Sequence, residues 1–392
     1  MKINFRKLWY LPLEPRLERY SYQLSRAKVG WLESAWIKNK IPYERIEGKS
    51  LNKRIKAGAV LDATGRGYWS CAQVMKLLEL INNNKVTSED VIYFDDFWHP
   101  GIEAFPYAFH ILNIKPKMYT IIWAQSVDKH DFTYPMRKWM RHYEIGQGKV
   151  LDGIFVTSEA LRDLCLYARV GTSETVHVTG HPFSSNEIKA RLPKKYPQRK
   201  NQVIFTSRWD VEKCPWLYLK IAELTINKMP KVHFLVTTST EKLKSNNPSL
   251  LKLLNNHIQK YPRNIILKEN LTKNEYYGYL LESKVQVNTA DQDWVSYTLL
   301  ESAVCGCHPL YPYYLSFPEV FTHKDGNVDH NFMYQKNDAK DASEKILQIL
   351  QMPKEQYESI PMFRIYKKFD DSWKRMVDVM NGNKQYEKQL DW

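Results

Sequence analysis

No stretch of this 392-residue chain is apolar for long enough to cross a bilayer. The N-terminus, MKINFRKLWYLPLEP, has basic residues but no continuous apolar core, so it does not read as a secretory leader. A soluble, cytoplasmic chain is the expectation. Cysteine is scarce: the five, at 71, 165, 214, 305 and 307, are odd in number and show no zinc spacing. Cys305-Gly306-Cys307 is too tight for a usual ligand pair, so reduced and mostly buried thiols are expected and no metal site is predicted. Gly65 and Gly67 allow a tight turn with exposed N–H groups, yet their spacing is wrong for a dinucleotide fingerprint.

What is present is enough apolar material for real cores, 43% of residues, and a length that suggests two domains. The net charge of +14 is uneven: residues 1–195 hold 30 Lys/Arg against 20 Asp/Glu. Two readings stand side by side, a polyanionic partner for the first half and a solvated lysine-rich surface.

The chain is organised around 287–312, VNTADQDWVSYTLLESAVCGCHPLYP. Val285 and Val287 alternate with polar residues as a strand would. Asp291, Gln292 and Asp293 form a loop. Tyr297, Leu300, Ala303 and Val304 recur at helical spacing, and Gly306 stands where a helix end favours positive φ. The first-turn N–H groups near Ser296, Tyr297 and Thr298 lack intrahelical partners and suit a phosphate. An early helix start would put Asp293 and Glu301 about two turns apart on one face.

Elsewhere strands and helices alternate. Strands are expected at 2–12, 43–46, 59–61, 91–94, 118–124, 153–156 and 175–178, and helices at 17–37, 70–82, 102–112 and 161–167. This alternation predicts a doubly wound α/β domain. The strand ends carry the candidates for an acceptor pocket: Arg16, Arg66, Asp95, Asp96, His99, Asp128, His130 and Asp131. A polar, basic linker with Pro193 and Pro197 follows. Strands at 203–205, 232–236, 265–267 and 285–287 then build a second sheet. Arg208 and Lys213 follow the first of these, ahead of a helix opened by Pro215. Trp373, Met376, Val377 and Met380 give the last helix an apolar stripe.

The segment D-WVSYTLL-E-SAVCGC, from Asp293 to Cys307, resembles the acidic-x7-Glu motif of retaining nucleotide-sugar glycosyltransferases of the GT-B fold. It departs at Asp293, where Glu is usual, and at Trp294-Val295-Ser296, where Gly-aromatic-Gly is usual. Arg208 with Lys213 resembles the Arg-x4-Lys pair of that family, with Ser207 in place of a frequent Gly. The resemblance implies two Rossmann-like domains facing a cleft, at 1–190 for the acceptor and 200–365 for the donor. A helix at 366–392 would cross back to the first domain. It implies that Arg208 and Lys213 bind the donor diphosphate, aided by N–H groups at 296–298. Glu301 would hold the ribose, Asp293 would face the sugar, and Gly180 would approach the donor. No cofactor is required, and the leaving phosphate can take the acceptor proton. Inversion would instead need a base among Asp95, Asp96, Asp128 and Asp131. The first-domain His of the family has only His99 and His130 as near candidates.

For the acceptor, the basic first half and a 13% aromatic content point to DNA. The chain resembles a phage enzyme adding glucose or arabinose from a UDP-sugar to 5-hydroxymethylcytosine. Tyr22, Trp31, Tyr68, Trp69, Trp98 and Trp139 are available to wedge or stack. A glycosyltransferase working at a membrane surface, and a degenerate module that only binds nucleic acid, remain open.

Overall fold

The computed structural model describes residues 2–16, 23–24, 30–51, 64–124, 126–131, 133–323 and 325–382. The expected strand at 59–61 and most of the helix expected at 17–37 lie outside these residues. The helix Trp31–Lys38 is what is described of the latter. The chain forms two compact units, Met1–Phe183 with Phe369–Asp391, and Ser184–Lys368.

In the first unit six parallel strands lie in the order β2-β1-β3-β4-β5-β6. They are β1 Leu8–Leu11, β2 Tyr43–Arg45, β3 Val91–Phe94, β4 Lys117–Ile121, β5 Gly153–Val156 and β6 Val176–Val178. β1, β3 and β5 are buried at every position, as expected of strands covered on both faces. The helix Ser372–Met380 adds Met376, Val377, Val379 and Met380 to a core with Leu8, Tyr10, Trp36, Tyr93 and Phe155. Each such fully buried aliphatic side chain contributes about 1.5–3 kcal/mol. The apolar stripe of the last helix is therefore core of the first unit. Gly148, in the helix Arg137–Val150, lets that helix meet the backbone at Val170; a Cβ there would collide with the Val170 carbonyl oxygen.

In the second unit the order is β12-β11-β10-β7-β8-β9, again parallel. The strands are β7 Lys200–Phe205, β8 His233–Thr237, β9 Ile265–Lys268, β10 Ser283–Val287, β11 His308–Pro312 and β12 Met333–Tyr334. β8 and β9 extend one way from β7, and β10 returns to its other side. The chain thus changes direction between β7 and β10, and in the first unit between β1 and β3. The carboxyl ends of two such neighbouring strands are where open α/β sheets bind ligands.

Candidate nucleotide-sugar site

The loops after β7 and β10 carry the residues singled out by the sequence. They are tied to one another. The Thr289 hydroxyl donates to the carbonyls of Lys213 (2.8 Å) and Cys214 (3.2 Å). The Asp291 N–H donates to the Glu212 carbonyl at 2.9 Å. Lys213 Nζ donates to the Gln292 carbonyl at 2.5 Å and lies 3.6 Å from Asp293 Oδ2. Cys214 holds a left-handed φ of 47° just before Pro215 opens the helix Pro215–Lys228, a conformation costing a non-glycine residue about 1–3 kcal/mol. Its thiol, pushed up to about 12 mainly by burial, stays protonated and donates to Asp291 Oδ2 at 3.0 Å.

Both cations are matched by carboxylates. Arg208 donates to Asp210 Oδ2 and Glu212 Oε1, each at 2.6 Å, and is 39% exposed. Lys213 is 10% exposed. The two therefore differ: one is a screened surface fork, the other a nearly dry point charge.

The helix Tyr297–Val304 begins after Ser296, and no side chain caps it. Asp293 therefore precedes the helix and shares no face with Glu301, which corrects the early start expected from the spacing. Asp293 instead accepts from Asn288 Nδ2 at 3.3 Å. Gly306, with φ 68°, ends the helix and its segment as expected.

Glu301 is fully buried. Its Oε1 accepts from Lys273 Nζ at 2.6 Å and from the Tyr277 hydroxyl at 3.2 Å, while the buried Oε2 has no hydrogen-bond partner among the described residues. Lys273 opens the helix Lys273–Glu282 behind a Thr272/Glu275 capping box, and its ammonium lies over the rings of Tyr276 (4.8 Å) and Tyr277 (5.4 Å). A buried carboxylate held by one ion pair keeps acceptor capacity on its unpaired oxygen. Sequence reasoning missed Lys273. Its signal was present, a cation in the first turn of the helix preceding β10, but only folding brings it to Glu301. Lys336, bonded to Asp291 Oδ1 at 2.5 Å and to the Ala290 carbonyl at 3.1 Å, was missed for the same reason.

The acceptor candidates separate into groups with different surroundings. Asp95 is fully buried and accepts from the hydroxyls of Tyr10 (3.1 Å) and Tyr93 (3.0 Å). Burial pushes its carboxyl up to about 7. It is a locked core group, so the reading of Asp95 as a base within reach of an acceptor is corrected. His99 is also buried, bonded to Gln73 Oε1 at 3.0 Å, and burial lowers it to about 3, too weakly basic to take a proton near neutrality. Asp128 accepts the His130 N–H, and Asp131 accepts the N–H and hydroxyl of Thr133; both carboxylates are buried turn caps. Asp96 is ion-paired with Arg66, whose guanidinium lies 5.6 Å from the Trp98 ring centre. Arg16 pairs with Glu14 at 2.5 Å. Gly180 has φ 78°, and a Cβ there would lie 3.1 Å from both Phe369 and Arg375; that packing within the first unit accounts for the glycine.

The raised Asp95 carboxyl has a measurable consequence. The native state keeps a proton there that the unfolded chain has already lost above its ordinary value near 4. Its contribution to stability is present below about pH 4 and is lost as pH rises to about 7. Asp95→Asn is expected to flatten this window by an amount on the order of 2–4 kcal/mol. Urea denaturation at several pH values checks it; an unchanged pH slope in the variant would refute the assignment.

No family model matches the chain. A curated Drosophila melanogaster protein, tRNA-queuosine alpha-mannosyltransferase, is 26% identical over 141 residues, 36% of this chain and 36% of that one. Among solved structures the chain is similar to TarM, with TM-score 0.59 and 19% identity, covering 79% of this chain and 58% of that one. It is also similar to sucrose-phosphate synthase from Thermosynechococcus elongatus, with TM-score 0.58 and 12% identity over 96% of each chain. Anabaena HepE in complex with UDP matches with TM-score 0.57 and 12% identity, over 96% of this chain and 98% of that one. The architecture is that of the GT-B glycosyltransferases: two parallel α/β sheets wrapped by helices. Among the described residues no helix is long and apolar enough to cross a membrane, and no group of three or more His, Cys, Asp or Glu is placed to hold a metal ion.

Proposed function

We propose that the chain transfers a sugar from a nucleotide-diphosphate donor, UDP-sugar favoured, to a hydroxyl on a modified base in nucleic acid. The observation that carries the donor half is the junction of the loops after β7 and β10, where Lys213 stands, beside a helix that holds Glu301 with one oxygen unpartnered among the described residues. Lys213 and Arg208 take the diphosphate, releasing their carboxylate partners. The uncapped start of the helix Tyr297–Val304 adds N–H groups near Ser296 and Thr298. Glu301 Oε2 accepts a ribose hydroxyl, and Asp293 faces the sugar. The sugar–oxygen bond breaks with its electron pair leaving on the diphosphate. The acceptor oxygen forms the new bond and passes its proton to the leaving phosphate oxygen. Two fixed cations can stabilise that departure without a resident metal.

For the acceptor, 5-hydroxymethylcytosine in DNA is our first reading, supported by the basic first half of the chain. Queuosine in tRNA is the second, favoured by the likeness to the Drosophila relative. The test is incubation with a panel of nucleotide sugars and three acceptors, cytosine DNA, hydroxymethylcytosine DNA and queuosine tRNA, followed by mass analysis of digested nucleosides. A sugar-sized gain on the hydroxymethylcytosine nucleoside alone is the expected result. A gain on queuosine selects the second reading. No gain on any nucleic acid, with UDP still bound, moves the acceptor to a glycan or glycolipid.

A further inference from the structure

The structure sorts the aromatic residues on which a nucleic acid might lie. Trp31, Trp69 and Trp98 are buried core, and Tyr22 lies outside the described residues. Trp139 is 59% exposed. It stands on the outer face of the helix Arg137–Val150, and its neighbours share one sign of charge. Arg137, Lys138, Arg141, His142 and Lys149 are exposed on that helix, with Lys129 on the turn before it. The three carboxylates between residues 126 and 150, Asp128, Asp131 and Glu144, are buried, and the exposed Glu103 acts on Tyr143 of the helix. Among the described residues no carboxylate lies within ion-pair distance of Arg137, Lys138, Arg141 or His142.

The geometry is that of a platform. Arg137 and Arg141 are one turn apart, a step of about 6 Å, and Lys138 with His142 forms the adjacent column. Arg137 lies 4.0 Å from the Tyr134 ring centre, which fixes its direction. Gly146, also exposed, has nothing within 4 Å of where a Cβ would stand, so a partner can approach the helix backbone there. The inner face is anchored: Glu144 accepts from Trp98 Nε1 and from the N–H and hydroxyl of Ser126, tying the helix to the loops at the carboxyl ends of β3 and β4.

We propose that this outer face is the docking surface for the DNA that carries the acceptor base. Arg137, Lys138 and Arg141 neutralise phosphates, and Trp139 stacks on a base. The inference rests on the nucleic-acid reading of the acceptor and gives that acceptor a place on the first unit.

The test uses the full chain and fluorescence anisotropy with two labelled probes, a cytosine duplex of about 20 base pairs and an RNA stem-loop of similar length. UDP binding by calorimetry and thermal melting run alongside. Arg137→Glu/Lys138→Glu/Arg141→Glu is expected to weaken binding at least ~30-fold and to reduce the slope of log K against log salt by about 2–3. Trp139→Ala is expected to weaken it about 5- to 100-fold with the slope unchanged. Charge-preserving Arg137→Lys/Lys138→Arg/Arg141→Lys keeps binding and controls for folding. A wild type that binds the RNA stem-loop and not the duplex would overturn DNA as the occupant. Variants that bind both probes like the wild type would overturn the surface and leave the nucleic-acid reading standing. A wild type that binds neither probe, yet binds UDP and equimolar phosphatidylglycerol–phosphatidylcholine vesicles, would overturn both and leave the donor site intact.

Discussion

Glu301→Gln is expected to lower kcat/KM for the donor about 100-fold. A charge-assisted hydrogen bond to a carboxylate is worth about 1.5–3 kcal/mol. Glu301 is fully buried, and its Oε2, without a hydrogen-bond partner among the described residues, is the atom that would meet the ribose. The amide keeps the shape but loses the charge, and it leaves Lys273 without its counter-ion among Tyr276 and Tyr277. A lower melting temperature is therefore expected too, and binding must be compared on folded protein. The decisive measurement is discrimination between UDP and its 2′- and 3′-deoxy analogues. The wild type should prefer the ribose form, and the variant should lose that preference. A variant that still discriminates would remove Glu301 from the sugar-ring contact and leave it as the partner of Lys273 alone.

The second large effect is expected at Lys213. Lys213→Ala should reduce kcat/KM by about 10²–10³, the range seen when one preorganised charge-stabilising group is removed from an active site. Arg208→Ala should cost less, about 10-fold, because its guanidinium is more exposed and already shared between Asp210 and Glu212. Lys213 lies at 10% exposure, against Asp293 and the Gln292 carbonyl, where its charge is weakly screened. The comparison of UDP with UMP separates a phosphate contact from a loop-tethering role: the variant should lose affinity for UDP far more than for UMP. Equal losses for the two nucleotides would mean that Lys213 only holds the loop after β10 in place.

Much of the fold was legible because burial on both faces leaves a plain mark. Val91–Phe94 and Gly153–Val156 read as short apolar runs and are strands over those same residues. The helix end at Gly306 was legible because a left-handed φ is cheap only for glycine. The order of Arg208, Lys213, Asp293 and Glu301, each after a strand, was legible as pattern. Local start signals were weaker. The helix of the central motif begins at Tyr297 because Ser296 ends the extended segment, and nothing in the period of the apolar residues distinguishes that from an earlier start.

The sequence by itself determined the α/β alternation, the two sheets and the identity of the cations and carboxylates at their edges. These depend on apolar periodicity and residue type, which are local properties. Only the tertiary structure decided which strands are neighbours, and so which loops meet. The return of β10 to the far side of β7 brings Lys213 to Gln292 and Asp293, and the helix before β10 brings Lys273 to Glu301. It also decided which polar groups are dry. Asp95 and His99 carry the same chemistry in sequence as any acid or base, but burial locks one carboxyl near 7 and holds the imidazole near 3. Charge and burial act through space between residues far apart in the chain, and no window along the sequence contains both members of such a pair.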